Sequence, residues 1–152
     1  MVSMKSRDRF TADLFDWQPP KVAVGFEADL SGNRLGSRIS RAVSLALKEC
    51  GKSRAEVAEA MSSELGYPVS ADMLDAYASE AKESHRITLE RFVALVTATG
   101  CLDLLGFVAG LFDHVVVPGR YQSLIELHLI EEHEKDLARM KQTVEAKWRA
   151  GR

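Results

Sequence analysis

Six basic side chains lie close together between residues 34 and 54, and their chemistry is the clearest functional signal in this 152-residue chain. Only one acid, Glu49, falls among them, so the stretch has a net charge of +5. Guanidinium and ammonium groups at this density are suited to binding phosphate, for example in the backbone of a nucleic acid. The alternative is a solvated helix face, which is the usual role of a run of charges. The six residues are Arg34, Arg38, Arg41, Lys48, Lys52 and Arg54.

The chain beyond this basic stretch is acidic. Between Ala55 and Glu83 there are seven acids and one base, Lys82, which gives a net charge of −6. The whole chain carries a formal charge of −2 at pH 7, so it has no general attraction to nucleic acid. Any affinity for DNA must therefore come from a local patch.

Motifs that would indicate catalysis or metal binding are weak. The tripeptide GKS at 51–53 resembles the end of a phosphate-binding P-loop, but the glycine required five residues before position 51 is replaced by Ala46. His128 and Glu132 lie four residues apart on a predicted helix, and no third ligand is evident nearby. We therefore expect neither an enzyme, nor a cofactor, nor a metal site.

Composition also indicates the cellular compartment in which we expect the protein. The two cysteines, Cys50 and Cys101, are too few for a disulfide framework in a chain of this size, and free thiols are the simpler expectation. The first ten residues lack an apolar signal core, and no run of ~20 apolar residues could span a membrane. We expect a cytoplasmic protein without a membrane segment, whose 46% hydrophobic residues are enough to form a core.

The spacing of apolar residues predicts an all-α domain of five helices over residues 37–117. The first helix has one apolar stripe, with its basic residues on roughly the opposite face. The second begins with a capping box formed by Ser53 and Glu56, and Ser70 and Thr88 are expected to cap the next two. The residues expected to face the core are Met73, Leu74, Tyr77 and Ala81 in the third helix and Leu89, Phe92, Val93 and Val96 in the fourth.

Residues 1–36 form an N-terminal arm without helical periodicity. Two β-prone segments, 21–26 and 114–117, could pair as a minimal two-stranded ribbon. The arm also contains a compact apolar cluster, which would either dock a partner or, as we favour, pin the arm onto its own domain. The cluster consists of Leu14, Phe15 and Trp17.

Residues 118–152 are predicted to be a separate segment, a long charged helix that follows a proline-glycine pair. Acids dominate its first part and bases its last part, an order that complements the helix dipole. Two antiparallel copies would bring opposite charges together, so we expect a homodimer through this helix. The alternative is that the helix folds back onto its own domain. The apolar seam of the dimer would consist of Ile130, Leu137, Met140 and Val144.

Short features follow one another in a distinctive order between residues 53 and 96. The second helix begins with a small polar cap and carries an alanine. The third begins with a valine-serine pair, followed by an aliphatic residue and then an aromatic one. The fourth follows an arginine and carries spaced apolar residues. These are Ser53, Ala58, Val69, Ser70, Leu74, Tyr77, Arg86, Leu89, Phe92 and Val96. Over residues 37–112 the chain thereby resembles the helix-turn-helix domain of the phage repressor/Cro-like family. The resemblance implies that double-stranded DNA is the partner.

The third helix of such a domain enters the major groove, but here its exposed face has no cation to contact guanine or phosphate. The segment between Ala58 and Ser70 is also longer than the tight turn of the family allows. We expect the upstream basic residues to lead the phosphate contacts instead. The predicted DNA-binding residues are Arg38, Arg41, Lys48, Lys52 and Arg54 for phosphates and Ser70, Ala71, Asp75, Ala76 and Ser79 near the bases.

Over its whole length the chain also looks like small proteins encoded in Mu-like transposable prophages, through its DLFDWQPP arm, its helical region and its IELHLIEEH segment. This similarity implies a role in transcriptional regulation or transposition control of phage type. We therefore expect sequence-directed DNA binding. The alternative is a protein-interaction adaptor on the same fold that no longer reads DNA.

Overall fold

Six α-helices and one 3-10 turn account for most of the residues that the computed structural model describes, which are 21–26, 30, 34–82 and 84–151. The expected all-α class is confirmed. The 3-10 turn, Gly119–Tyr121, leads directly into the last helix. The helices are α1 Leu35–Glu49, α2 Arg54–Leu65, α3 Ala71–Tyr77, α4 Leu89–Thr99, α5 Asp103–Gly110 and α6 Gln122–Ala150.

The chain divides into two compact units. The first, Val22–Val116, contains helices α1 to α5, and helix α6 belongs to the second. The apolar cluster predicted in the N-terminal arm lies outside the described residues, so its role stays a prediction. That cluster is Leu14, Phe15 and Trp17.

Local side-chain chemistry sets the starts of α2, α3 and α4. The Ser53 hydroxyl accepts a hydrogen bond from the amide of Glu56 at 3.2 Å, and the Glu56 carboxylate accepts one from the amide of Ser53 at 2.7 Å. This reciprocal pair is the predicted capping box, and its hydrogen bond from the Ser53 backbone lowers the pKa of Glu56. The hydroxyls of Ser70 and Thr88 cap α3 and α4 with one hydrogen bond each. All three helix starts are therefore confirmed.

The five helices of the first unit each bury a large side chain in one shared core. These side chains are at most 2% exposed. Burying a side chain of this size stabilises a fold by about 1.5–3 kcal/mol relative to leaving it in water. The core thus fixes α1, and with it the basic residues, against the rest of the unit. The five residues are Leu47, Met61, Leu74, Leu95 and Leu104.

Helix α4 turns a different face to the core from the one predicted. Leu89 and Val93, which we expected to point inward, are 78% and 52% exposed, and Phe92 is only half-buried. Ala94 and Leu95 are buried instead. The physical reason is that α4 packs mainly against α2, and this packing decides which of its closely spaced apolar residues are covered.

Two local elements are shorter than predicted. Helix α3 ends at Tyr77, so Ala81 lies beyond it and is exposed instead of buried. The two-stranded ribbon is reduced, within the described residues, to one antiparallel pair, Ala23 with Val116, joined by hydrogen bonds of 2.9 and 3.1 Å. Gly25, at a φ of 99°, takes the backbone out of the extended region and ends the pairing there.

Candidate nucleic-acid interface

The basic residues of α1 share one face of the helix. Arg38 and Arg41 are three residues apart and Lys48 follows seven residues later, a spacing that directs all three side chains to the same side. Val43 and Leu47 fall on the opposite side and are buried in the core. The amphipathic arrangement predicted for this helix is therefore present.

Arg41 makes a two-point ion pair with Glu80, which lies just beyond the end of α3. Its Nε and Nη2 atoms donate to the two carboxylate oxygens at 2.6 and 3.2 Å. The hydrogen bonds from Arg41 lower the pKa of Glu80, so this carboxyl stays ionised at neutral pH. Both side chains are 41% exposed, so water and salt weaken the pair. A phosphate that binds Arg41 must still compete with this carboxylate.

Arg54 is held between two helices. Its Nε atom donates to Asp75 of α3 at 3.1 Å, and its Nη1 atom donates to the carbonyl of Leu47 near the end of α1 at 2.8 Å. The guanidinium therefore joins α1 to α3 through charge-assisted hydrogen bonds. Asp75, which we predicted near the bases of DNA, is occupied by this ion pair.

Lys52 and Arg38 also have partners within the first unit. The Lys52 ammonium donates to the carbonyl of Ala98 in the last turn of α4 at 2.6 Å, where a cation complements the negative end of the helix dipole. The Nε atom of Arg38 donates to the carbonyl of Leu30 at 3.2 Å, and its guanidinium lies 5.9 Å from the centre of the Phe107 ring. Both side chains help to hold the unit together.

Lys48 differs from the other four residues that we predicted to contact phosphates. It is exposed, and no hydrogen bond or ion pair joins its side chain to another residue in the described part of the chain. A phosphate could therefore reach Lys48 without displacing an existing partner.

Helix α3 presents only part of the face that we predicted for contacting bases. It is seven residues long, and Ala76, expected at the DNA, is 5% exposed and belongs to the core. Ala71 is half-buried, as is Ser79 beyond the end of the helix, and the Ser70 hydroxyl is used for capping. The reason is that α3 packs against both α1 and α2, so two of its sides are covered. Its exposed charged side chains are the acids Asp72 and Asp75.

Two cavities that the sequence did not reveal lie beside α1, and we call the surface that they form together the groove. One cavity of about 130 Å³ lies beside the start of α1, a second of about 300 Å³ lies farther along, and Glu80 lines both. The connection between α3 and α4 brings Lys82 and Arg86 to the first cavity, and neither makes an ion pair with a described residue. The basic residues lining the groove are Arg34, Lys82 and Arg86 in the first cavity and Arg41 and Lys48 in the second.

Arg91 of α4 is the centre of another cluster that the sequence did not indicate. Its guanidinium donates to the hydroxyl of Tyr77 and lies 5.5 Å from the ring centre of Tyr67. Hydrogen bonding to Tyr67 and Tyr77 raises the pKa of Arg91. The Tyr67 hydroxyl donates in turn to Glu90 at 3.3 Å. These contacts attach the turn between α2 and α3 to α4, which is a structural role.

Helix α6, taken by itself, is exposed along its length. None of its 29 residues, all of which are described, is buried. Its charged side chains pair between neighbouring turns, as in Lys135 with Glu132 at 2.7 Å and Arg139 with Asp136 at 3.1 Å. Exposed pairs of this kind contribute only tenths of a kcal/mol each. The apolar side chains predicted to form a dimer seam, all exposed, are Ile130, Leu137, Met140 and Val144.

The described residues contain neither a cluster of metal ligands nor a membrane-spanning helix. No three His, Cys, Asp or Glu side chains there come together in a way that could hold a metal ion. No helix there combines the length and the hydropathy needed to cross a lipid bilayer. Cys50 and Cys101 are free, half-buried thiols, and burial raises the pKa of Cys101.

Comparison with known proteins gives this chain no family. No protein-family model, no curated protein and no solved structure matches it. The resemblances to repressor/Cro-like domains and to proteins of Mu-like prophages therefore stay predictions.

Proposed function

We propose that the first unit binds double-stranded DNA through its backbone phosphates, with the groove along α1 as the contact surface. The observation that supports this proposal is that basic side chains of α1 and of the α3–α4 connection line two cavities that share Glu80. Lysine and arginine contacts to phosphate supply nearly all of the affinity of non-specific DNA binding. Lys48, Lys82 and Arg86 are the contacts that such binding would use first, because no described residue neutralises them.

On this proposal α3 contributes little to sequence recognition. Its exposed charged residues, Asp72 and Asp75, would be repelled by phosphates, and buried Ala76 cannot contact a base. We therefore expect binding with little sequence preference, in place of the sequence-directed binding implied by the family resemblance. A role in phage transcription or transposition stays a prediction.

A second copy of the chain is the partner that we propose for α6. The first half of this helix is acidic and the second half basic, so antiparallel copies would place Glu126 of one near Arg149 of the other. The exposed seam from Ile130 to Val144 would be covered in the same arrangement. A dimer would present two DNA-binding units on one particle, which strengthens binding without any new contact.

A protein-interaction adaptor is the second candidate function. The observation that favours it is that Arg41 and Arg54 are already paired with acids. Helix α4 also exposes Leu89 and Val93 in a depression whose rim includes Glu64. An apolar patch with an acidic rim would suit a basic amphipathic helix of a partner.

Removing charge from both cavities tests the DNA proposal. Replacing Lys48 and Lys82 by glutamine should weaken binding to every sequence and lower the slope of log K against log salt by about 1.8, since each phosphate contact contributes about 0.9. The control replaces Arg120 and Lys135, which lie outside the first unit, and changes the net charge equally. Fluorescence anisotropy of a short labelled duplex measures the affinity and the salt slope of each double variant. Equal binding by the two double variants would refute the proposed contact surface.

A further inference from the structure

The first cavity of the groove has the size and the lining of a site for a small anion. Its volume of about 130 Å³ is several times the ~30 Å³ that one water molecule occupies in the liquid, so a group of a few heavy atoms fits. Hydroxyl groups of Ser37 and Ser40 on α1 and of Ser79 on the opposite wall supply hydrogen-bond donors. Lys82 and Arg86 supply ammonium and guanidinium groups.

The charge balance of this cavity favours an anion. Glu80 is the acid among its lining residues in the described part of the chain, and both of its carboxylate oxygens accept hydrogen bonds from Arg41. Its negative charge is therefore largely offset from outside the cavity. Lys82 and Arg86, in contrast, have no ion pair with a described residue. A bound anion would give both of them a partner.

Gly36 leaves room for the guanidinium of Arg86. A Cβ atom built at Gly36 would lie 1.9 Å from Nη1 and 2.9 Å from Cζ of Arg86, so the guanidinium occupies the space that any side chain at position 36 would need. Glycine in a helix costs about 1 kcal/mol relative to alanine. The glycine in the first turn of α1 thus permits the guanidinium to lie against the helix backbone, inside the cavity.

We propose that this cavity binds a phosphate group, with the Arg86 guanidinium donating to two phosphate oxygens and Lys82 and the serine hydroxyls completing the site. The planar fork of arginine matches phosphate in this two-point manner. The phosphate could belong to a small molecule or to the backbone of DNA, and both present the same oxygens. Occupancy by free phosphate does not depend on the DNA binding proposed above, because inorganic phosphate alone can be used as the probe.

Amide NMR of the full chain, titrated with inorganic phosphate, tests the proposal. Amide shifts of Ser37, Ser40 and Arg86 should saturate with a dissociation constant of ~1 mM or tighter. Sodium chloride at matched ionic strength should not reproduce them. Arg86→Gln should bind phosphate at least ~10-fold more weakly, because a hydrogen bond to a charged group is lost.

Gly36→Ala provides a second variant that should remain folded. Alanine favours the helix, so its melting temperature should equal or exceed that of the parent, while the displaced Arg86 guanidinium should weaken phosphate binding. Arg120→Gln is the control with the same loss of charge elsewhere, and it should bind like the parent. The proposal would be overturned if sodium chloride at matched ionic strength reproduced the amide shifts. It would also be overturned if Arg86→Gln and Gly36→Ala both kept the phosphate affinity of the parent.

Two competitors identify the source of the phosphate. A short duplex without terminal phosphates that displaces inorganic phosphate supports a DNA backbone phosphate as the natural occupant. Adenosine monophosphate that displaces it when the duplex does not supports a small phosphorylated ligand. In the second case the site exists although the DNA proposal fails, so the two failures can be told apart.

Discussion

Removing the Glu80 carboxylate, which is one partner of Arg41, should increase DNA affinity if the groove is the contact surface. Glu80→Gln removes the carboxylate that accepts two hydrogen bonds from Arg41, at 2.6 and 3.2 Å, and it makes the groove more positive by one charge. The slope of log K against log salt is about 0.9 for each phosphate contact. One added contact should therefore steepen the slope by about 0.9. Over the tenfold change from ~1 M to ~0.1 M salt, this extra slope corresponds to a gain of up to ~8-fold in the affinity of Glu80→Gln relative to the parent.

The matched control for Glu80→Gln is Asp72→Asn. Asp72 is an exposed acid of α3, and it has no ion pair with a described residue, so its loss changes the net charge equally without removing a partner of Arg41. Fluorescence anisotropy across a salt series should show a steeper slope for Glu80→Gln alone. If Glu80→Gln keeps the parent slope, or if Asp72→Asn steepens the slope as much, Arg41 is not a phosphate contact and the reasoning is refuted.

Three further predictions concern the core, pH and assembly. Leu95→Ala should lower the free energy of unfolding by about 2–5 kcal/mol and Val93→Ala by less than about 0.5 kcal/mol, because Leu95 is 0% and Val93 52% exposed. Similar losses for the two variants in urea titrations would contradict the assignment of the buried face of α4. Since the capping hydrogen bonds lower the pKa of Glu56, this carboxylate stabilises the fold at neutral pH. That contribution should be lost as pH falls through the folded-state pKa of Glu56, so the melting temperatures of Glu56→Gln and the parent should converge in acid. A difference in melting temperature that stays constant with pH would show that the ionised carboxylate of the capping box is not what stabilises the parent. Sedimentation should show a dimer for the parent and a monomer for Leu137→Asp, whereas equal masses would exclude the α6 seam.

Local chemistry made the helix starts predictable. Ser53 with Glu56, and the hydroxyls of Ser70 and Thr88, act on amides three residues away, so the sequence alone contains both partners. The face of α4 was not predictable in this way. Its apolar residues follow one another so closely that more than one stripe fits a helix, and packing against α2 decides which stripe is buried.

The groove depends on contacts between segments far apart in sequence. Lys82 and Arg86 lie in an irregular connection, where no periodicity indicates which helix they will meet. The pairing of Arg41 with Glu80 spans 39 residues, so the sequence showed opposite charges without showing that they cancel. The predicted basic helix face is confirmed for Arg38, Arg41 and Lys48, and their role as phosphate contacts stays a prediction.

The binding of two unrelated duplexes of equal length, in ~50 mM salt where electrostatic contacts are strong, tests the central proposal most directly. We predict that the full chain binds both, with affinities within about tenfold of each other, since specific DNA-binding proteins favour their sites by ~10³ or more. The affinities for both duplexes should fall in parallel as salt is raised, because phosphates are the common contact. No binding by folded protein at that salt concentration would contradict DNA binding. A preference of ~10³ for one duplex would contradict the proposal that backbone phosphates, and not bases, are contacted.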